Sequence, residues 1–292
     1  MSRNPVYAST AGVARHFSSL PQLLQGLTGA GIKNIELGWS PPLDGLALPG
    51  GLQDFPAMWL IHNYFPAPDE AFVLNLASQN HDTLQRSRAF CIQAIRLCAA
   101  LKAPFYSVHC GFLAEFDPGS LGRALAYNEI CDYERGYGTF LESLRLLLGE
   151  ARSCGIRILV EPNVVAPFNL VEGRNLLLLL AEPKEFTRLL AEIHDDLLGV
   201  LLDLGHLKVT ASTLGFDKAD FIEAVAPAIG GFHLHDNDGA SDQHLPVQPG
   251  SWALSVIMQE RFFGRPVVIE AKFEGAAEFA KHCLWVEHFL IR

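Results

Sequence analysis

From residue 6 to residue 290, short apolar runs rich in β-formers alternate with longer stretches in which apolar positions recur at helical spacing. The runs predict strands over 6–10, 34–39, 58–62, 105–110, 157–161, 199–203, 231–235 and 266–270. The periodic stretches predict helices over 20–30, 86–101, 140–153, 184–193, 221–226 and 276–290. Gly31, Gly155 and Gly264 stand where a helix hands over to a strand, the position at which glycine relieves the left-handed cap. Strands separated by helices pair in parallel through right-handed crossovers, which leaves a closed barrel or an open doubly wound sheet. No GxGxxG follows the first strand and no GxxxxGK[ST] occurs anywhere, so the phosphate loops of open sheets are missing. Polar residues at the C-terminal ends of many strands favour the barrel. The expected architecture is one (β/α)8 TIM-barrel domain over 1–292.

A buried parallel strand is normally apolar on both faces. Here the runs end in His62, His109, Glu161, Asp203 (with His206 three residues on), His233 and His235, and Glu270. One strand-end histidine is ordinarily a hydrogen-bonded structural residue, and one strand-end acid can cap the next helix. Together, at a common mouth, they would be a cluster of buried charge, whose cost a divalent cation offsets. Imidazole and carboxylate without thiolate suit Mn, Zn, Co or Fe, and Mg less well. Cys110 follows His109 directly, so it faces the other side of its strand, in the core. His233 and His235 are two apart and share a face. Asp242 and His244 form an alternate pair in the following loop, able to hold a further ion, while Asp236, Asn237 and Asp238 fit either ligation or a solvated loop.

Composition narrows the setting. Of 292 residues, 49% are hydrophobic and 18% charged, which suits one compact globule. The six cysteines form no CxxC pair, so reduced thiols and a cytoplasmic location are expected. The start lacks an apolar h-region, and the apolar run 176–181 is far short of the roughly 20 residues a bilayer requires. A net charge of −10 without a Lys/Arg cluster disfavours nucleic acid as a partner. Oligomeric state cannot be read from any helix.

These residues resemble the xylose isomerase-like TIM-barrel superfamily of sugar isomerases, sugar epimerases and endonuclease IV. The resemblance rests on Val160-Glu161-Pro162-Asn163, Leu202-Asp203-Leu204-Gly205-His206, His233-Leu234-His235-Asp236, Asp242-Gln243-His244 and Ile269-Glu270. Within the sugar branch it implies one metal on Glu161, Asp203, His235 or His233, and Glu270. The two glutamates double as the acid/base pair, and His62, His109 and His206 contact the substrate. Within the endonuclease branch it implies three zinc ions on His62, His109, Glu161, Asp203, His206, His233, Asp242, His244 and Glu270. The sugar reading is preferred because the chain is acidic, its strand-end loops lack Arg/Lys enrichment, and Leu245-Pro-Val-Gln-Pro-Gly250 replaces a glycine-rich segment. The expectation is therefore an isomerase or epimerase of a small-molecule sugar or sugar phosphate, dependent on Mn, Zn, Co or Mg. A metal-holding barrel without turnover is the third class. Asn63-Tyr64-Phe65-Pro66 and Trp39 are candidates for an apolar wall, and Lys208, Arg135 and Lys272 for an anionic substituent.

Overall fold

The computed structural model describes residues 4–38, 50–68, 70–127 and 129–291. Trp39 lies outside them. Eight parallel strands, β1 (Val6–Ser9), β2 (Asn34–Leu37), β3 (Met58–His62), β4 (Phe105–His109), β5 (Arg157–Glu161), β6 (Leu198–Asp203), β7 (Ile229–Leu234) and β8 (Val267–Ile269), close in sequence order, with β8 pairing β1. Around them run α1 (Leu20–Gly29), α2 (His81–Leu101), α3 (Tyr133–Cys154), α4 (Pro183–Ile193), α5 (Leu204–Leu214), α6 (Lys218–Val225), α7 (Trp252–Ile257) and α8 (Ala276–Ile291). None of the described helices is long and apolar enough to cross a membrane.

The predicted strands all form, within two residues at either end. Two helices were absent from the sequence reading. The short α7 lies in the β7–β8 connection, and α5 follows β6 without a loop. α5 buries Leu204, Gly205, His206, Leu207, Val209, Thr210 and Ala211, so nearly every side is covered. Without an exposed polar face it leaves no amphipathic period to detect. Gly155 caps α3 at φ 69°, as its position after an apolar-periodic run predicts.

Two hydrophobic layers fix the strands. Their outer faces pack on the helices in one large cluster, while Tyr7, Leu60, Phe105, Leu159, Leu201 and Val268 plug the barrel interior. Leu159 needs space there: a Cβ on Gly199 or Gly230 would come within 2.6 or 2.5 Å of its Cδ2. Side chains two apart on a strand share a face. Each plug residue therefore sets the orientation of a polar one above it. Leu60 puts His62 inside, Leu159 puts Glu161 inside, Leu201 puts Asp203 inside and Val268 puts Glu270 inside. Cys110, of opposite parity to His109, is fully buried, and its thiol approaches the Glu161 carbonyl at 3.0 Å.

Candidate metal centre

Glu161 is the hub. Its side chain is fully buried, with Oε2 at 3.2 Å from His62 Nε2 and 3.6 Å from His109 Nε2. Its Oε1 lies 3.1 Å from His206 Nδ1 and 3.5 Å from His233 Nδ1. Asp203 accepts the His206 backbone N–H through Oδ1 at 2.7 Å, capping α5. Its Oδ2 remains at 3.0 Å from His235 Nε2 and 3.6 Å from His233 Nδ1. Capping occupies one oxygen of Asp203 and leaves the other available as a ligand atom. Glu270 approaches His233 Nδ1 at 3.0 Å.

The third element is the loop after β7. Reciprocal backbone bonds between Asp236 and Leu245 close it, and Asp238 shapes its tip by accepting from the backbone N–H groups of Ala240 and Ser241. Asp236 pairs with Lys208, and the Asn237 amide donates to the Gly205 carbonyl. These residues shape the loop and stand apart from the ligand clusters. The loop brings Asp242 Oδ2 to 3.2 Å from His206 Nε2 and 2.8 Å from His244 Nε2. His244, at φ 54°, donates from Nδ1 to the Glu270 carbonyl at 2.8 Å, which turns Nε2, its other potential ligand atom, toward Asp242. His235 stacks on it with ring centroids 4.3 Å apart.

Among the described residues, the potential ligand atoms form clusters including His62–His109–Glu161, Glu161–Asp203–His233 and His206–His235–Asp242–His244. Both strand histidines thus face the centre, His233 toward Glu161 and Glu270, His235 toward Asp242. A divalent ion fits this set on physical grounds. Both Glu161 oxygens, the Nδ1 atoms of His206, His233 and His235, and Asp242 Oδ1 are buried without a hydrogen-bond partner. They converge on one another without hydrogen-bond geometry, an arrangement that costs about 1–3 kcal/mol per atom unless something else occupies their lone pairs.

The electrostatics agree. Burial would raise the Glu161 carboxyl, but His109, His233 and His62 pull it well below the usual range. Burial would likewise raise Glu270, and His233 and His244 hold it down at about 2. Burial would lower His206 and His233, yet Asp203 and Asp242 raise the first and Glu36, Glu270 and Glu161 raise the second well above normal. Asp242 overcomes burial to raise His244 to about 9, whereas burial prevails at His109 and takes it down to about 4. At pH 7 the metal-free centre therefore holds protons on His206, His233 and His244 that ligation must expel. Loading is expected to release them, and affinity to rise with pH by roughly tenfold per unit for each proton displaced, the His244 contribution ending at about pH 9. Calorimetric titration in buffers of different ionisation enthalpy counts them; no buffer dependence would refute these proton assignments.

Sequence reasoning missed Glu36 on β2. It is fully buried, and its Oε2 lies 3.0 Å from His233 Nε2. A signal was present, an acid inside the apolar run Asn34-Ile35-Glu36-Leu37, but attention to strand ends passed over it. Gly205 belongs to the Leu202–His206 motif, and the packing gives it a reason. A Cβ there would lie 2.0 Å from His235 Cε1. Inside a helix, Gly→Ala should stabilise by about 1 kcal/mol. Gly205→Ala is instead expected to cost about 1–3 kcal/mol and to lower metal content by displacing His235. Thermal melts and elemental analysis check it.

Above the centre lies a cavity of about 450 Å³, with His62, His109, His206, Asp242, His244 and Glu270 on its floor. Glu161, enclosed by four histidines, is absent from the described lining, so the two glutamates expected to flank a substrate differ: Glu270 faces the cavity and Glu161 does not. Asn63 and Tyr64 line the wall, while Phe65 is core. Among the described residues Lys272 is the one lysine or arginine on that wall; Lys208 is tied to Asp236, and Arg135 lines a separate small cleft.

A family model of xylose isomerase-like TIM barrels matches residues 53–285. No match is found among curated protein sequences. Among solved structures, a D-tagatose 3-epimerase-like protein superposes with TM-score 0.73 at 17% identity, over 98% of this chain and 97% of that one. L-ribulose 3-epimerase gives 0.68 at 14% identity, over 100% and 95%. D-psicose 3-epimerase from Clostridium cellulolyticum H10 gives 0.67 at 12%, over 99% of both chains. At these identities the likeness is one of fold.

Proposed function

The chain belongs to the xylose isomerase-like TIM-barrel family, and from that premise we propose that it is a divalent-metal-dependent isomerase or epimerase of a sugar or sugar phosphate. The observation that carries this reading is the convergence of unpartnered Glu161, His206 and His233 atoms beneath a monosaccharide-sized cavity. Glu161, Asp203, His233 and Glu270 would hold the principal ion. When bound, the ion supplies Lewis-acid stabilisation of negative charge that develops on substrate oxygens beside the reacting carbon. Glu270, a ligand that also faces the cavity, is the carboxylate placed to take and return the carbon-bound proton. Glu161 serves as ligand, its charge fixed by the histidines around it. His62, His109 and His206 meet substrate hydroxyls, and the apolar side chains of Phe112, Leu125 and Phe168 restrict water above them. The likeness to two 3-epimerases and a 3-epimerase-like protein favours a ketose as the first substrate class to try.

A second reading, phosphodiester hydrolysis by several ions, is favoured by one specific observation: among the described residues the potential ligand atoms fall into five overlapping clusters, one of them built on Asp242 and His244. Against it stands the single wall lysine among the described residues, since a nucleic-acid backbone requires repeated cationic contacts. The experiment loads purified protein with Mn, Co or Zn, counts ions per chain, and follows deuterium incorporation from D2O into ketoses and ketose phosphates. Metal-dependent incorporation supports the isomerase reading. Two or more ions per chain, no exchange into any ketose, and cleavage of an abasic-site duplex or a model phosphodiester would replace it with the second.

A further inference from the structure

Glu36, one of the most deeply buried acids among the described residues, forms a further group of potential ligand atoms with His62 and His233, but its hydrogen bond to the far nitrogen of His233 gives it a different place from Glu161, Asp203 and Glu270. It sits on β2, its side chain is inaccessible, and its Oε1 has no hydrogen-bond partner. No lysine or arginine among the described residues pairs with it; its hydrogen-bond partner is His233, across the barrel on β7 and 197 residues away in sequence. Burying an acid in that position carries a desolvation cost that an apolar side chain would not. The ring it touches has two nitrogens aimed in opposite directions: Nε2 at Glu36, 3.0 Å away, and Nδ1 at Glu270, Glu161 and Asp203, at 3.0, 3.5 and 3.6 Å.

We propose that Glu36 is the positioning residue of the centre: it accepts the Nε2 proton of His233 and so presents the Nδ1 lone pair to the ion shared with Glu161, Asp203 and Glu270. This rests on the metal reading above and extends it. The geometry leaves little choice of tautomer once an ion is in place. With the proton on Nδ1, the Nε2 lone pair would face the lone pairs of Glu36 Oε2 at 3.0 Å, and the N–H would point where the ion must sit. With the proton on Nε2, the hydrogen bond to Glu36 also fixes the ring plane, because β2 and β7 are not neighbours and the bond spans the barrel. A carboxylate behind a ligand histidine is a general means of orienting it and strengthening its donor nitrogen. His62 cannot take over the task, since its own Nδ1 is engaged by Ser107 Oγ at 3.1 Å and its Nε2 faces Glu161.

The test compares wild-type protein with Glu36→Gln and Glu36→Asp. Zinc affinity is measured by chelator competition, and the cobalt-loaded forms by their visible spectra. Glutamine can accept from or donate to Nε2 and so no longer dictates the tautomer. It is expected to weaken zinc binding about 10–100-fold and to alter the cobalt spectrum, with aspartate recovering part of the loss. Should glutamine prevent folding, nitrogen-15 shifts of His233 in zinc-loaded wild-type protein decide the matter alone: protonated Nε2 and metal-bound Nδ1 are expected. Wild-type zinc affinity in a folded Glu36→Gln, or zinc on Nε2, overturns the positioning role while leaving the metal reading intact. A wild-type protein that binds no divalent ion overturns both.

Discussion

Glu161→Gln is expected to strip the barrel mouth of metal and to lower turnover by about a thousandfold or more. The side chain sits among His62, His109, His206 and His233, and its two oxygens join the His62–His109 cluster to the Asp203–His233 cluster. An amide keeps the volume and loses the charge that burial and four imidazoles have been arranged around. The several kcal/mol of charge stabilisation that a bound ion contributes would go with it, and each 1.36 kcal/mol is a factor of ten in rate. The check needs no substrate. Zinc at about a thousand times its dissociation constant stabilises a folded protein by roughly 4 kcal/mol, so zinc should raise the melting temperature of wild-type protein and leave that of Glu161→Gln almost unmoved. Equal zinc-induced shifts in both proteins would remove Glu161 from the ligand set.

Glu270→Gln separates chemistry from metal holding. Glu270 reaches the cavity, with a side chain 12% exposed, whereas Glu161 has none exposed. Asp203, Glu161 and His233 stay in place when Glu270 is changed, so most of the metal content should survive. Turnover should nevertheless fall about 100- to 10,000-fold, the usual contribution of a positioned general base, because an amide does not take up the proton. Steady-state kinetics beside elemental analysis reads both quantities. Retained metal with retained turnover would transfer the proton to another group on the cavity floor.

The two variants divide roles that the sequence assigned jointly. Both glutamates end a strand and both belong to the same motif set, so pattern alone treats them as a symmetric pair. Their difference comes from neighbours far away in the chain: His62, His109 and His206 converge on Glu161, and the segment around Asp242 and His244 folds beside Glu270. Glu36 and α5 escaped the sequence reading for related reasons. Glu36 lies inside its strand, where an acid resembles an exception to the apolar pattern until His233 is seen opposite. α5 is covered on nearly all sides, so the periodicity that reveals a surface helix is missing.

What the sequence determined by itself is whatever depends on local periodicity and parity. Apolar runs separated by helical stretches specify eight parallel strands. A spacing of two places His62, Glu161, Asp203 and Glu270 on the same face as the plug residues below them. The tertiary structure alone decided which of these atoms meet. Closing the barrel brings β2 within hydrogen-bond reach of β7 across 197 residues, turns one glutamate inward and the other toward the cavity, and hangs the Asp242–His244 loop over His206. Distances of about 3 Å between groups on different strands depend on barrel closure and loop conformation, which no local pattern in the chain encodes.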